Sequence, residues 1–115
     1  GNHRDLAVLV ARHHGQVHRA LELRPSTLLE LLEQTDAFRR PGRFADLLLA
    51  CEADGRGRTG YEDQPYPQRE WLARAAAIAA AVKPDARVTE GHSGGEIARV
   101  LRSRRLEALT RIKAG

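Results

Sequence analysis

The chain is poor in the residues that form covalent cross-links, soft metal sites and base-stacking surfaces. Its 115 residues include one cysteine, no methionine, one tryptophan, two tyrosines and two phenylalanines. The single cysteine, Cys51, cannot form an internal disulfide or a cysteine pair for zinc, which favours a reducing compartment, the cytoplasm. With so few aromatic side chains, stacking on unpaired bases is not the expected mode of binding.

Long apolar runs are also missing. The alanine-rich stretch 73–82 is too short, and too close to charged residues, to span a bilayer, and no signal peptide precedes the first predicted helix. We therefore expect a soluble protein whose length suits one compact domain. Because there is no initiator methionine and Gly1 comes first, we also expect a segment excised from a longer chain.

Basic residues outnumber acidic ones, 19 to 15, which gives a net charge of +4 and a pI near 10. This balance favours polyanionic partners. Seventeen of the basic residues are arginine, the side chain best suited to bidentate phosphate contact. The same excess of arginine and alanine also arises from the nucleotide composition of a genome, so both explanations stay open.

Apolar residues recur at helical spacing in five stretches, and no stretch shows the strict alternation of a half-buried strand. The pattern predicts an all-α, irregular bundle of about five helices. The first helix is expected to run from an Asn2 cap to about Leu21. The second is expected to begin near Pro25 or at a Thr27–Glu30 capping box and to end before Pro41.

The third helix is expected to break in the glycine-rich turn 54–60, the fourth to begin at Pro67, and the fifth to follow residues 91–95. The expected core positions include Leu28, Leu29, Leu32 and Phe38; Phe44, Leu47, Leu48 and Cys51; Trp71, Leu72, Ala75, Ile78, Ala79 and Val82; and Ile97, Val100, Leu101, Leu106, Leu109 and Ile112.

Three motifs are more particular than this pattern: Asp36-Ala-Phe-Arg-Arg-Pro41, Glu52-Ala-Asp-Gly-Arg-Gly-Arg58 followed by Gly60, and Tyr66-Pro-Gln68 ahead of Trp71. With them the chain resembles the C-terminal body of bacterial CCA-adding tRNA nucleotidyltransferases, the multifunctional CCA proteins. The resemblance covers nearly the whole chain. The family's polymerase-like domain, with its glycine-serine motif and paired metal-binding aspartates, has no match here.

The resemblance implies a non-catalytic module that binds tRNA, with the nucleotidyltransferase domain elsewhere in the same longer chain. Mg and CTP or ATP are the cofactors expected for the full-length enzyme. The resemblance also divides the chain into residues 1–38, the end of an HD-type phosphohydrolase-like domain, and residues 39–115, a helical body and tail packed with it as one unit.

A divalent metal (Ni, Mn or Mg) is implied at an intact HD site. His14 and His18 lie four residues apart and share a helix face, and by resemblance Asp36 joins them as a ligand. However, no His-Asp dipeptide occurs in the chain, and Gly15 stands where the family has an aspartate, which puts phosphohydrolase activity in doubt. The alternative is that these histidines are partly exposed polar positions.

Two groups of arginines are candidate RNA contacts. Arg56 and Arg58 could clamp phosphates, although a structural lock of the turn by Asp54 is the favoured interpretation. On the last helix the resemblance implies that tRNA is gripped through shape and backbone, by Arg99, Arg102, Arg104 and Arg105. The rival interpretations are a phosphohydrolase remnant and a structural domain, in which an exposed apolar face of the first helix drives homodimer formation.

Overall fold

The computed structural model of the chain describes residues 2–57, 60, 62–83 and 90–114. Within them the elements are α1 (Asn2–His18), a 3₁₀ turn (Ala20–Glu22), α2 (Pro25–Gln34), α3 (Pro41–Arg56), α4 (Pro67–Ala81) and α5 (Gly94–Ala114). None of the described residues forms a strand. The all-α prediction is confirmed.

Proline starts three of the helices. Pro25, Pro41 and Pro67 open α2, α3 and α4, where a fixed φ favours the first turn and the missing N–H costs nothing. The predicted capping box of Thr27 and Glu30 is wrong, because α2 begins earlier and has Arg24 at its N-cap without a side-chain cap bond.

The second helix ends sooner than predicted. It stops at Gln34, and Asp36 takes a left-handed backbone with φ of 57°, which reverses the chain before Pro41. The Thr35 hydroxyl is fully buried and donates to the Leu31 carbonyl at 2.7 Å, an oxygen that also accepts from the Thr35 N–H at 3.0 Å, so the hydroxyl has a partner inside the core. The resulting turn, residues 35–40, places Phe38 and two arginines between α2 and α3.

The first helix is also shorter than predicted. It ends at His18, and the 3₁₀ turn that follows leaves Leu21 49% exposed. Most of the other buried positions follow the apolar pattern: the fully or almost fully buried side chains are Val17, Leu28, Leu29, Leu31, Leu32, Phe44, Leu47, Leu48, Cys51, Leu72, Ala75, Ala79 and Leu109. The predicted core positions Ile78, Val82, Ile97, Val100 and Leu101 are only half-buried. Trp71 and Phe38 are partly buried against this cluster.

The helices pack across the predicted boundary at residue 38. α1 lies on α3, and α2 lies on α5, which also packs on α4 through the buried Ala75 and Ala79. The division at residues 38 and 39 stays a prediction, but the two parts contact each other extensively. Among the described residues, no helix has both the length and the apolar character that a bilayer crossing requires.

The basic helix α5 is tied to the remainder at several points. Leu109 is fully buried, and the Lys113 ammonium donates hydrogen bonds to the carbonyl oxygens of Leu21 and Leu23. These carbonyls lie in the connection between α1 and α2. The end of the chain's last helix is therefore held against its first two helices.

We predict that Leu109→Ala lowers the free energy of unfolding by about 2–5 kcal/mol, because it opens a cavity where α5 meets the core. Urea denaturation followed by circular dichroism measures this loss. Leu106→Ala, at a half-buried position one turn away, is the matched control and should cost clearly less. Equal and small losses for the two variants would contradict the docking of α5 through Leu109.

Candidate functional site

Arg102 is the most fully paired of the arginines predicted to contact RNA. Its Nε donates to both carboxylate oxygens of Glu33, at 3.0 and 3.2 Å, and its Nη2 donates to Oε1 at 3.1 Å. This two-pronged pair joins α5 to α2, and it raises the pKa of Arg102. Arg102 and Glu33 keep 45% and 37% of their side-chain surface exposed. The guanidinium of Arg102 is thus paired with a carboxylate of the same chain.

Arg105 contributes to packing as well as to charge. Its Nε donates to the Ala79 carbonyl at 3.0 Å, near the end of α4, and its guanidinium lies 4.2 Å from the centre of the Phe38 ring. A cation over an aromatic face is stabilised by the ring quadrupole. Both partners are uncharged, so the positive charge of Arg105 is not neutralised by these contacts.

The other predicted cations of α5 differ from each other. Arg99 is exposed and has no hydrogen bond or ion pair within the part of the chain that the structure describes. Arg104 is half-buried and does have an interaction partner. None of these positions is tested as an RNA contact by the structure, and the assignment of Arg99, Arg102, Arg104 and Arg105 stays a prediction.

Arginines outside α5 gather at the same place, which the sequence reasoning missed. Arg43 donates through Nη2 to the Thr35 carbonyl at 3.3 Å, and Arg39 lies 3.9 Å from the Asp36 carboxylate. We use the name arginine corner for the five arginines around residues 33–38: Arg39, Arg40, Arg43, Arg102 and Arg105. The consecutive Arg39 and Arg40 at the end of a predicted helix were the available signal.

The second predicted cluster, around Arg56, forms an ion-pair network. Glu52 accepts a hydrogen bond from Arg69 at 2.6 Å and pairs with Arg56 at 2.9 Å, and the Arg56 Nε also donates to the Gln64 carbonyl at 3.1 Å. The hydrogen bond from Arg69 and the charge of Arg56 lower the pKa of Glu52. Arg56 is thus held by Glu52 of the same motif, whereas the sequence favoured Asp54 as the lock. Arg58 lies outside the described residues.

His18 is the centre of a three-residue contact. Its Nε2 lies 3.0 Å from the Asp54 carboxylate, and its Nδ1 lies 2.7 Å from the Tyr66 hydroxyl. A neutral imidazole fits both partners if Nε2 donates to Asp54 and Nδ1 accepts from Tyr66. Burial raises the pKa of Tyr66, in keeping with a protonated hydroxyl. The contact joins the end of α1 to the end of α3 and to the loop before α4.

A glycine permits this close approach. A Cβ on Gly55 would lie 3.0 Å from Tyr66 Cε1 and 3.4 Å from His18 Cε1, tighter than ordinary packing distances. Gln68 adds a further tie, because its amide donates to the His18 carbonyl at 2.9 Å. The glycine-rich motif therefore packs against the end of the first helix.

The predicted metal ligands do not fit a metal site as they stand. Both ring nitrogens of His18 have partners, and His14 Nδ1 lies 2.9 Å from the Val10 carbonyl oxygen. Asp36 lies in the turn after α2, beside Arg39. Among the described residues, no group of three or more histidine, cysteine, aspartate or glutamate side chains could hold a metal ion. Metal binding by His14, His18 and Asp36 stays a prediction.

The fold and these contacts define an all-α segment whose arginine-rich last helix is docked through ion pairs and carbonyl contacts. The chain is 57% identical over 112 residues to the multifunctional CCA protein of Thioalkalivibrio sulfidiphilus, covering 97% of this chain and 27% of that protein. It is 54% identical over 110 residues to that of Alkalilimnicola ehrlichii, covering 96% and 27%.

A third relative is the multifunctional CCA protein of Pseudomonas syringae, 48% identical over 109 residues and covering 95% of this chain. The chain spans 27% of the length of this relative. No family model and no solved structure matches the chain. The resemblance found in the sequence is confirmed: nearly the whole chain is homologous to part of the multifunctional CCA proteins.

We predict that Tyr66→Phe lowers the free energy of unfolding by about 1 kcal/mol, because His18 loses a partly buried hydrogen bond. A double-mutant cycle with His18→Asn tests the pairing, since contacting residues show a coupling energy of roughly 0.5–3 kcal/mol. His14→Asn, one turn earlier on α1, is the matched control. Strictly additive losses for Tyr66→Phe and His18→Asn would show that the contact does not contribute to stability.

Proposed function

We propose that this chain is a tRNA-binding helical segment of a CCA-adding enzyme and has no catalytic activity by itself. The observation that supports this most directly is the 44–57% identity, over nearly all of the chain, to proteins named multifunctional CCA protein. In the longer protein, a nucleotidyltransferase domain of the same chain would extend the tRNA with Mg and CTP or ATP. The site of action would be the cytoplasm, where the substrate tRNA is processed.

The shape and charge of the segment support RNA binding. The molecule is a flat body with principal extents of 57, 38 and 17 Å, and its last helix spans 21 residues. Double-helical RNA is recognised mainly through its shape, its phosphates and its 2′-hydroxyls. An arginine-rich helix on a flat body suits such backbone contact, and its Arg99 is exposed and has no ion pair among the described residues.

The histidines support this assignment over a phosphohydrolase remnant. His18 is occupied by Asp54 and Tyr66, and a metal at its ring would have to displace one of them. Gly15 supplies no ligand or base beside His14. The local chemistry favours a structural role for this part of the segment.

We predict that the chain binds a tRNA lacking its CCA end more tightly than a DNA duplex of matched length. Fluorescence anisotropy over a salt series from about 50 to 200 mM should show affinity falling steeply with salt, since phosphate contacts release counterions. Arg99→Gln should reduce the salt slope by about one. Arg12→Gln, an exposed arginine on α1, is the matched control. Equal binding to the two nucleic acids, or none, would contradict the proposal.

An apolar groove supports a second candidate role, homodimer formation. It lies between α1 and α3, and it is lined mainly by apolar side chains: Leu6, Ala7, Val10, Ala11 and Ala50, with His14 and Asp54 at its polar part. Exposed apolar surface of this kind is typical of protein contacts. A second copy of the chain could cover it from each side of a twofold axis.

If the chain forms a homodimer through this groove, its sedimentation coefficient should rise with concentration. Ala11→Glu should keep the chain monomeric, because it places a charge in the groove. Ala98→Glu, at an exposed alanine of α5, is the matched control and should leave the association intact. A sedimentation coefficient that is constant with concentration for all three proteins would contradict this role.

A further inference from the structure

Arginines from three elements meet on one six-residue stretch, residues 33–38. The turn supplies Arg39 and Arg40, α3 supplies Arg43, and α5 supplies Arg102 and Arg105. Their contacts within the stretch are Arg102 with Glu33, Arg43 with the Thr35 carbonyl, Arg39 with Asp36, Arg105 with Phe38, and the Arg40 N–H with the Asp36 carbonyl at 2.8 Å. Arg102 and Arg39 thus face the two carboxylates of the stretch, Glu33 and Asp36, while Arg43 and Arg105 lie on a carbonyl and a ring beside them and Arg40 is tied to the stretch through its backbone.

Most of these contacts position an arginine without neutralising it. Arg43 and Arg105 are held by a carbonyl or a ring, and Arg39 is 86% exposed and only 3.9 Å from its carboxylate partner. Arg40 is exposed and has no side-chain bond among the described residues. The corner therefore keeps a positive charge at the surface.

The start of α3 also favours an anionic ligand. Arg43 lies there with its Nε buried and without an acceptor among the described residues, so this nitrogen does not face a ligand at the surface. The first turn of α3, which begins beside Arg40, contains no acidic side chain that would repel such a ligand.

Arg102 differs from the rest of the corner because its guanidinium already donates to both oxygens of a carboxylate. The Glu33 carboxylate presents two oxygens to Nε and Nη2 at 3.0–3.2 Å, the arrangement that a phosphate also adopts with arginine. The pair is roughly half exposed, and exposed pairs of this kind open readily in water. Glu33 is thus an internal carboxylate in a position that a phosphate could take.

We propose that the arginine corner binds successive phosphates of an RNA backbone, and that Glu33 competes with one of these phosphates for Arg102. This inference rests on the proposed tRNA binding and assigns it to a surface. Exposed arginines bind single small anions weakly in water, but several together bind a polyanion tightly through the release of its counterions. A backbone of many phosphates therefore suits the corner better than a free phosphate ion.

The first test is Glu33→Gln, measured with the tRNA lacking its CCA end. We expect affinity to rise about three- to tenfold and the salt slope to steepen by about one phosphate contact, because Arg102 is released. Glu22→Gln is the matched control: it makes the same charge change and releases Arg19 from a 3.3 Å pair on the 3₁₀ turn, outside the corner. An equal rise in affinity for both variants would show that net charge alone matters and would overturn the inference.

The second test replaces Arg39 and Arg40 together by glutamine. These exposed side chains bury no core contact, so we expect an unchanged fold, a loss of tRNA affinity of about tenfold or more, and a salt slope lower by about two. The matched control is the double replacement of the exposed Arg4 and Arg12 on α1 by glutamine. The thermal unfolding of every variant is measured as well. Glu33→Gln should lower the unfolding temperature slightly and raise the affinity for tRNA. If the Arg102–Glu33 pair were purely structural, the stability would fall without a rise in affinity.

The outcomes separate this inference from the function on which it rests. Absence of salt-sensitive tRNA binding by the unaltered chain would overturn the proposed function. Binding that is the same in the corner variants and in their matched controls would overturn the corner alone. Inorganic phosphate that competes with tRNA at low millimolar concentration would also overturn it, since that result would indicate a small-anion site.

Discussion

The docking of α5 onto α2 and α4 is the constraint on which the arrangement of charge in this molecule depends. Leu109 anchors it in the core, but much of the surrounding contact is made by cations on carbonyl oxygens: Arg105 on Ala79, and Lys113 on Leu21 and Leu23. Helix ends and turns leave carbonyl oxygens without N–H partners, and their dipoles favour positive charge. A basic helix can therefore pack against α2 and α4, and against the connection before α2, without carboxylates at every contact.

A consequence is that the same arginines serve the fold and remain available to a ligand. An arginine held by a carbonyl or an aromatic ring adds an unmatched positive charge to the surface, whereas the charge of one held by a carboxylate is offset by its partner. In the arginine corner only Arg102, among the described contacts, makes a full two-pronged pair with a carboxylate. Displacing Glu33 by a phosphate would exchange one anionic partner of Arg102 for another with a similar two-pronged geometry. Such an exchange would adjust affinity and would not block binding.

The sequence predicted the helices and their buried faces well, because apolar spacing and helix-starting prolines are local signals. Leu47, Leu48 and Cys51 on α3, or Leu72 and Ala75 on α4, could be placed without any knowledge of their neighbours. The Thr27 capping box failed because Pro25 begins the helix two residues earlier. The left-handed Asp36, which sets the direction of the turn and so creates the corner, has no comparable local signal.

The candidate site was harder to predict, because its contacts join distant parts of the chain. Arg102 and Glu33 are 69 residues apart, and His18 and Tyr66 are 48 apart. Helical periodicity places Arg102 on a basic face of α5, but it does not reveal that a carboxylate of α2 faces it. Of the four arginines in the predicted band, Arg99 and Arg102 are exposed and Arg104 and Arg105 are half-buried, and the sequence did not indicate which of their charges already have a partner.

The roles of His14 and His18 also could not be predicted from their spacing in the sequence. Spacing of four residues on a helix is equally compatible with two metal ligands and with two polar side chains that have separate partners. Here His18 bonds to Asp54 and Tyr66, while His14 turns to its own helix at Val10. A Cβ at Gly15 would meet nothing within 4 Å, so packing does not require glycine at that position. The spacing alone could not indicate that folding brings Asp54 and Tyr66 to the two ring nitrogens of His18.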